Sequence, residues 1–358
     1  MQPYKSARWL SRMFALILVL GLAACTGQKA TGPLIVLDWS GYEQEVFWQD
    51  FKKAYPNVQV EFTFFAEDAE AFAKLQSGFV ADLVHPNSSW LKLFVDNDLL
   101  QPIDTSKLKN WPQIMEPLAK MGQVNGKQYM VPWEWGYDSI LVRTDKVKEV
   151  PDSWADLWDP QYKGHVSIFD SAEASVVVGA LALGYDPYNM TDQQLEEVKQ
   201  KLIALKPNLL GYWTDYTEIN QQVASGEVWV AANTWPDAYV ALRAEGVPVD
   251  YITPKEGRIG WVYGYCIPKS SKNPSLAHAY IDALISKAAM VEMATQYGYG
   301  AANKAANDEI VKTLEPDVVQ VMQLNNPDII NSTVFMKPLT EEQRTKWTKV
   351  WDEVKAAP

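Results

Sequence analysis

The chain has 358 residues, 47% of them hydrophobic and 21% charged, with a formal net charge of −12 and two cysteines. An acidic chain is a poor nucleic-acid binder, because phosphate backbones recruit basic surfaces. Two cysteines cannot build a disulfide framework, and three scattered histidines do not make a His/Cys metal site.

The first segment reads as a leader. Lys5, Arg8 and Arg12 precede an apolar run from Phe14 to Leu22 that is too short to span a bilayer. Leu22, Ala23 and Ala24 then lead into Cys25, an order that resembles the lipobox of bacterial lipoproteins. That resemblance implies a signal peptide over 1–24 and a lipid on Cys25, which becomes the new N-terminus. The mature chain would then work outside the cytoplasm, tethered to a membrane by 25–32. It has 334 residues, and removing three basic residues takes the charge from −12 to −15. That length suits two domains better than one core. Only Cys266 then remains, in an apolar run that suits a buried small hydrophobe.

Leu34 to Ser40 is a short apolar run ending in a polar turn, which predicts a buried strand. Tyr42 to Tyr55 has helical spacing and stops at Pro56. A strand over 58–65, a helix over 67–78, a strand with a polar loop over 81–89 and a helix over 90–100 follow. This alternation predicts a parallel sheet flanked by helices. Ligands in such sheets sit beyond the carboxyl ends of the strands, here Trp39–Tyr42 and Asn87–Ser89.

A second unit repeats the pattern. Strands are expected over 165–171, 227–233, 247–254 and 261–268, with helices over 173–183, 191–205 and 274–287. The tail from Glu341 is helical, and Trp347 and Trp351 share one face as a docking surface. Between the units lies VPWEWGYDSILV (131–142). If extended, it places Glu134 on the face opposite Trp133 and Trp135, so either the acid or the rings turn toward a ligand. There is no GxSxG, HExxH or P-loop, so no catalytic residue is assigned and no cofactor or metal is expected.

Several stretches resemble the extracellular solute-binding proteins of the spermidine/putrescine type, which feed ABC importers. They are LDWSGY (37–42), DLVHPNSSW (82–90), VPWEWGYDSI (131–140), DSWADLWDPQYKGHVSIFD (152–170), PKEGRIGWVYGYCIP (254–268) and QYGYGAANKAA (296–306). The resemblance implies a two-lobed α/β fold, each lobe a mixed, mainly parallel sheet flanked by helices, with the ligand cleft between them. It places 33–132 plus about 261–306 in the first lobe, and about 133–260 plus 307–358 in the second. It implies a monomer that closes on a small solute and hands it to a permease.

The site carried over from the family comprises Trp39, Ser40 and Tyr42, then Asn87, Ser88 and Ser89, with Trp235, Trp261 and Tyr299 as aromatic walls. Rings of this kind pack on methylene chains and attract ammonium heads. Family acids are replaced at Gly41, Ser171, Ala174 and Tyr263. Glu134, Asp138, Asp170, Glu173 or Asp237 could substitute, and Trp135 is a further wall candidate. Losing several carboxylates argues for fewer ammonium groups than spermidine has, because a buried ammonium needs a partner. The expected ligand is therefore a smaller amine, a quaternary ammonium compound or an amine-bearing zwitterion. Other solutes such as sugars, thiamine or phosphonates are the alternative. A secreted glycoside hydrolase and a structural lipoprotein are the competing classes.

Overall fold

The computed structural model describes residues 32–358. The leader, Cys25 and all of the tether but Gly32 lie outside the described residues. Eight strands form one path across the main sheet, in the order Val60–Phe65, Leu34–Trp39, Leu83–Val84, Ile259–Pro268, Met130–Arg143, Val230–Thr234, Val166–Phe169, Leu209–Trp213. The outer strands pair in parallel on both sides, as βαβ connections require. The two parallel blocks meet at an antiparallel pair, Met130–Arg143 with Ile259–Pro268. The predicted strand over 81–89 shortens to Leu83–Val84, and its remainder becomes a loop and a 3₁₀ turn, Ser88–Trp90.

Met130–Arg143 is the central strand, and all fourteen of its residues are buried. Its first part, Met130 to Asp138, lies opposite Cys266 to Ile259. Its second part, Ser139 to Val142, lies opposite Thr234 to Val230. The strand thus leaves one block and enters the other without a loop. Gly300–Ala301 adds a short pairing along its other edge, opposite Trp135 and Glu134.

The inner strands are buried on both faces. Leu34, Val36, Leu83, Trp133, Val262 and Tyr280 belong to one apolar core, which also takes in the helices Lys304–Thr313 and Pro316–Val321 through Ile310 and Val321. A second core gathers Ile140, Val142, Val166, Ile168 and Val230 under the helices Ala172–Ala182, Asp192–Ile203 and Glu341–Ala356. Gly179 lets two of these helices approach, because a Cβ there would lie 2.9 Å from Val198 Cγ1. Trp347 and Trp351 are buried in this core, as the docking reading expects. The C-terminal helix starts with a capping box, Thr340 with Gln343, which fixes its first turn.

Candidate ligand site

A cavity of about 510 Å³ opens between the strand ends of the two blocks. One block supplies Trp39, Ser40, Tyr42, Ala66, Asp68, Asn87, Ser89 and Trp90. The crossing strands supply Glu134, Asp138, Trp261 and Tyr263, with Tyr299 beside them. The other block supplies Phe169, Ser171, Glu173 and Trp235, and Met336 closes that side.

The first loop is shaped by Gly41, whose φ of +105° lies in the region that favours glycine. A carboxylate side chain at this position would strain the turn. Around it, Trp39 Nε1 donates to the His85 carbonyl at 2.9 Å, and Tyr42 Oη donates to Glu134 Oε1 at 2.8 Å. In the second loop Asn87 caps its turn by accepting from Ser89 N at 2.8 Å, and its own N–H donates to Asp68 Oδ1 at 2.9 Å.

The aromatic walls meet edge to face. Ring centroids are 5.7 Å apart for Trp39–Tyr263, 5.6 Å for Trp261–Tyr263 and 4.9 Å for Trp261–Tyr299. Trp261 lies over Gly136, directly opposite in the ladder, where a Cβ would come within 2.3 Å of the ring. Across the cavity, Asn233 with φ of +61° sits in a bulge at the end of its strand, just before Trp235.

Glu134 and Asp138 turn toward the cavity, and Trp133 and Trp135 turn away. Of the two faces of 131–142, the one that carries the acids lines this cavity. Trp135 does not line the cavity: it lies over Gly300 on the opposite face and donates from Nε1 to the Ala301 carbonyl at 3.1 Å. Three further candidates also sit elsewhere. Ser88 is buried behind its turn. Asp170 accepts from Trp351 Nε1 at 2.7 Å and Lys355 Nζ at 2.9 Å, so it anchors the C-terminal helix. Asp237 lies in the first turn of the helix after Trp235 and faces a separate pocket beside Tyr216 and Tyr297. The remaining candidates are brought together around the one cavity.

Asp68, Trp90, Phe169 and Met336 were not among the candidates. Asp68 matters most, because it changes the charge of the site. Three cavity acids have no ion-pair partner among the described residues: Asp68, Glu134 and Asp138. Burial pushes the Asp68 and Glu134 carboxyls up to about 7, against partial relief from the Asn87 amide and, for Glu134, from His85 and Tyr42. Burial raises Asp138 well above the usual carboxylate range, although Trp261 Nε1 donates to it at 3.1 Å. Glu134 Oε2 is buried with no hydrogen-bond partner among the described residues. Glu134, Asp138 and Glu173, three of the acids expected to substitute in the cleft, line the cavity, and Asp68 joins them. Glu173 is different, being paired with Arg344 at 3.1 Å.

Below the floor, His85 Nδ1 lies 2.8 Å from Asp38 Oδ1, and Tyr265 Oη donates to Asp38 Oδ2 at 2.9 Å. These groups are fully or almost fully buried and hold the floor beneath Glu134. Tyr263 lines the cavity, whereas Tyr265 is buried beneath it. Among the described residues no cluster of His, Cys, Asp and Glu could hold a metal ion.

The cavity thus combines aromatic rings with buried acids that have no ion-pair partner among the described residues. The comparisons with known proteins agree on a binding role. The spermidine/putrescine-binding periplasmic protein of Escherichia coli (strain K12) is 28% identical over 319 residues, covering 87% of this chain and 88% of that protein. The putrescine/cadaverine-binding protein of Pseudomonas aeruginosa is 26% identical over 363 residues, covering 96% and 99%. The crystal structure of a spermidine/putrescine ABC transporter substrate-binding protein from Streptococcus pneumoniae superposes with a TM-score of 0.77 at 23% identity, covering 91% and 99%. Residues 47–320 match the family of bacterial extracellular solute-binding proteins, and with the two-lobed fold and the inter-lobe cavity in place the chain belongs to that family.

Proposed function

We propose that this protein captures a small amine-bearing solute between its lobes and delivers it to the permease of an ABC importer, with no turnover of its own. The observation that carries this reading is the pair Glu134 and Asp138, buried among aromatic rings with no ion-pair partner among the described residues, and Asp68 beside them, which only the more distant Arg344 and His85 charges reach. Ionised carboxylates in such a place are costly until a cation joins them. An ammonium group would supply the missing partner, and Trp39, Trp261 and Tyr263 would cover its methylene neighbours and add cation–π attraction. The relatives from Escherichia coli and Pseudomonas aeruginosa are named for spermidine, putrescine and cadaverine, all of them amines. The reading places the ligand among polyamine-like compounds with fewer charges than spermidine. The division into two lobes is kept in this reading, with its first crossing moved from 132/133 to near Asp138, where the central strand changes partners, and with the helices Lys304–Thr313 and Pro316–Val321 on the first core. Attachment through Cys25, a periplasmic or cell-surface location and a monomeric state belong to the same reading.

Thermal unfolding with putrescine, spermidine, choline, an amino acid and a sugar tests it. Stabilisation by putrescine or another small amine is expected. Stabilisation by the sugar alone, or by none of the amines, would sink the reading, and stabilisation by spermidine alone would sink its limit on charge. Mass spectrometry of the molecule released on denaturation identifies what the purified protein carries.

A further inference from the structure

One end of the cavity holds a cation that the protein supplies itself. Glu173 stands in the first turn of the helix Ala172–Ala182, and Arg344 in the first turn of Glu341–Ala356. Arg344 Nη1 donates to Glu173 Oε2 at 3.1 Å. Its Nη2 donates to the Ser89 carbonyl at 3.2 Å, and its guanidinium lies 4.0 Å from the centre of the Trp90 ring. Ser89, Trp90 and Glu173 all line the cavity, so Arg344 stands immediately behind that wall. It also joins the two cores, since Trp90 packs on the first and the C-terminal helix belongs to the second. The helix is held in place by buried Trp347 and Trp351 and by the contact of Trp351 with Asp170.

The two ends of the site therefore differ in charge. Glu134 and Asp138 have no cation, whereas Glu173 has one and the Arg344 charge also reaches Asp68. We infer that Arg344 is a specificity-determining residue: its guanidinium occupies the electrostatic place of a ligand ammonium at the Glu173 end, so the site favours a diamine over a triamine. A triamine would have to bring a further positive charge toward a guanidinium, with Glu173 already neutralised. Without Arg344, Glu173 and Asp68 would share one end as unpaired acids, the arrangement that an extra ammonium stabilises.

This inference rests on the proposed amine-binding function, and the test separates the two. Putrescine and spermidine affinities are measured by calorimetry for the wild type, Arg344→Gln, Arg344→Lys and Glu173→Gln. Arg344→Gln should raise the spermidine-to-putrescine affinity ratio by about tenfold or more, and Arg344→Lys should keep the wild-type ratio. Glu173→Gln leaves the guanidinium uncompensated and should lower the ratio by about tenfold. A general weakening that leaves the ratio unchanged in both Arg344→Gln and Glu173→Gln assigns Arg344 a structural role and overturns the inference alone. If Arg344→Gln does not fold, Glu173→Gln decides: a fall in the ratio supports the inference and an unchanged ratio overturns it. Binding of neither amine by the folded wild type overturns the proposed function and this inference with it.

Discussion

The central strand shows the two faces of one sequence under different rules. On one face Trp133, Trp135 and Tyr137 each give their polar hydrogen to a main-chain carbonyl, those of Leu284, Ala301 and Val321, at 2.9, 3.1 and 2.9 Å. On the other face Glu134 and Asp138 have one neutral side-chain donor each, Tyr42 and Trp261. The first face is complete without a ligand. The second leaves charge to be balanced by something from outside. A buried acid need not be left in that state, as Asp82 shows: it accepts from Ile35 N, Ser271 Oγ, Lys272 N and Asn273 N. Incomplete satisfaction thus marks the functional face more clearly than burial or residue type does.

The largest expected effect falls on the complete face. Trp135→Ala removes a fully buried ring and leaves the Ala301 carbonyl without its donor, so denaturant unfolding should show a loss of about 3–5 kcal/mol. Amine affinity of the folded fraction should change by less than about threefold, since the ring does not touch the cavity. A large affinity loss at unchanged stability would mean that the two faces are not separate in function.

Glu134→Gln should do the reverse. The amide keeps the shape and removes a buried charge that has no cation, so the unliganded protein should be as stable as the wild type or more so. Affinity for putrescine should fall by about 2–3 kcal/mol, roughly 30- to 150-fold in the dissociation constant. Calorimetry and thermal unfolding on the same samples read both quantities.

The unpaired acids also predict a pH dependence. The folded carboxyls of Asp68 and Glu134 lie near 7, above their ordinary values. Each then contributes stability to the unliganded protein that is full below the ordinary carboxylate range and lost as pH rises through about 7. A bound cation favours the ionised forms, so affinity should rise over the same window and level off above it. The expected slope approaches tenfold per pH unit for each proton released. Affinity that is flat between about pH 5.5 and 8 would show that these acids are already ionised or do not meet the ligand. In Glu134→Gln the slope should flatten but not vanish, because Asp68 remains.

Much of this was legible in the sequence, for a physical reason. Strand alternation and turn chemistry are local, so the strands at 34–40, 58–65 and 261–268 and the loops at their ends stand out. Loops at strand ends in such sheets converge on the cavity, which is why Trp39, Tyr42, Asn87 and Ser89 meet there. Side-chain direction at helix starts is less local. Asp170 and Ser171 are neighbours, yet one anchors the C-terminal helix and the other lines the cavity. Asp68 and Arg344 look like ordinary charges in the first turns of amphipathic helices, and only the assembled blocks bring them to the site. Which face of 131–142 meets the ligand also depends on pairing, because the ladder with Ile259–Pro268 shifts register between Tyr263 and Gly264.

The smallest expected effect probes the seam between the faces. Trp261 and Trp135 each cross the ladder onto a glycine, Gly136 on the cavity side and Gly300 on the core side. Gly136→Ala would place a methyl group within 2.3 Å of the Trp261 ring, so the ring must move outward. Overpacking of this kind costs about 1–3 kcal/mol when the neighbour is locked. Trp261 has a cavity on its far side and can yield, so the stability loss should lie near the low end, about 1 kcal/mol. Its Nε1 would then leave Asp138, and the amine dissociation constant should rise by about five- to tenfold. Gly300→Ala meets a ring locked in the core, and should cost more stability and little affinity. If both substitutions lower affinity alike, the ligand senses the core-side tryptophan as well, and the division of the central strand into a structural and a binding face fails.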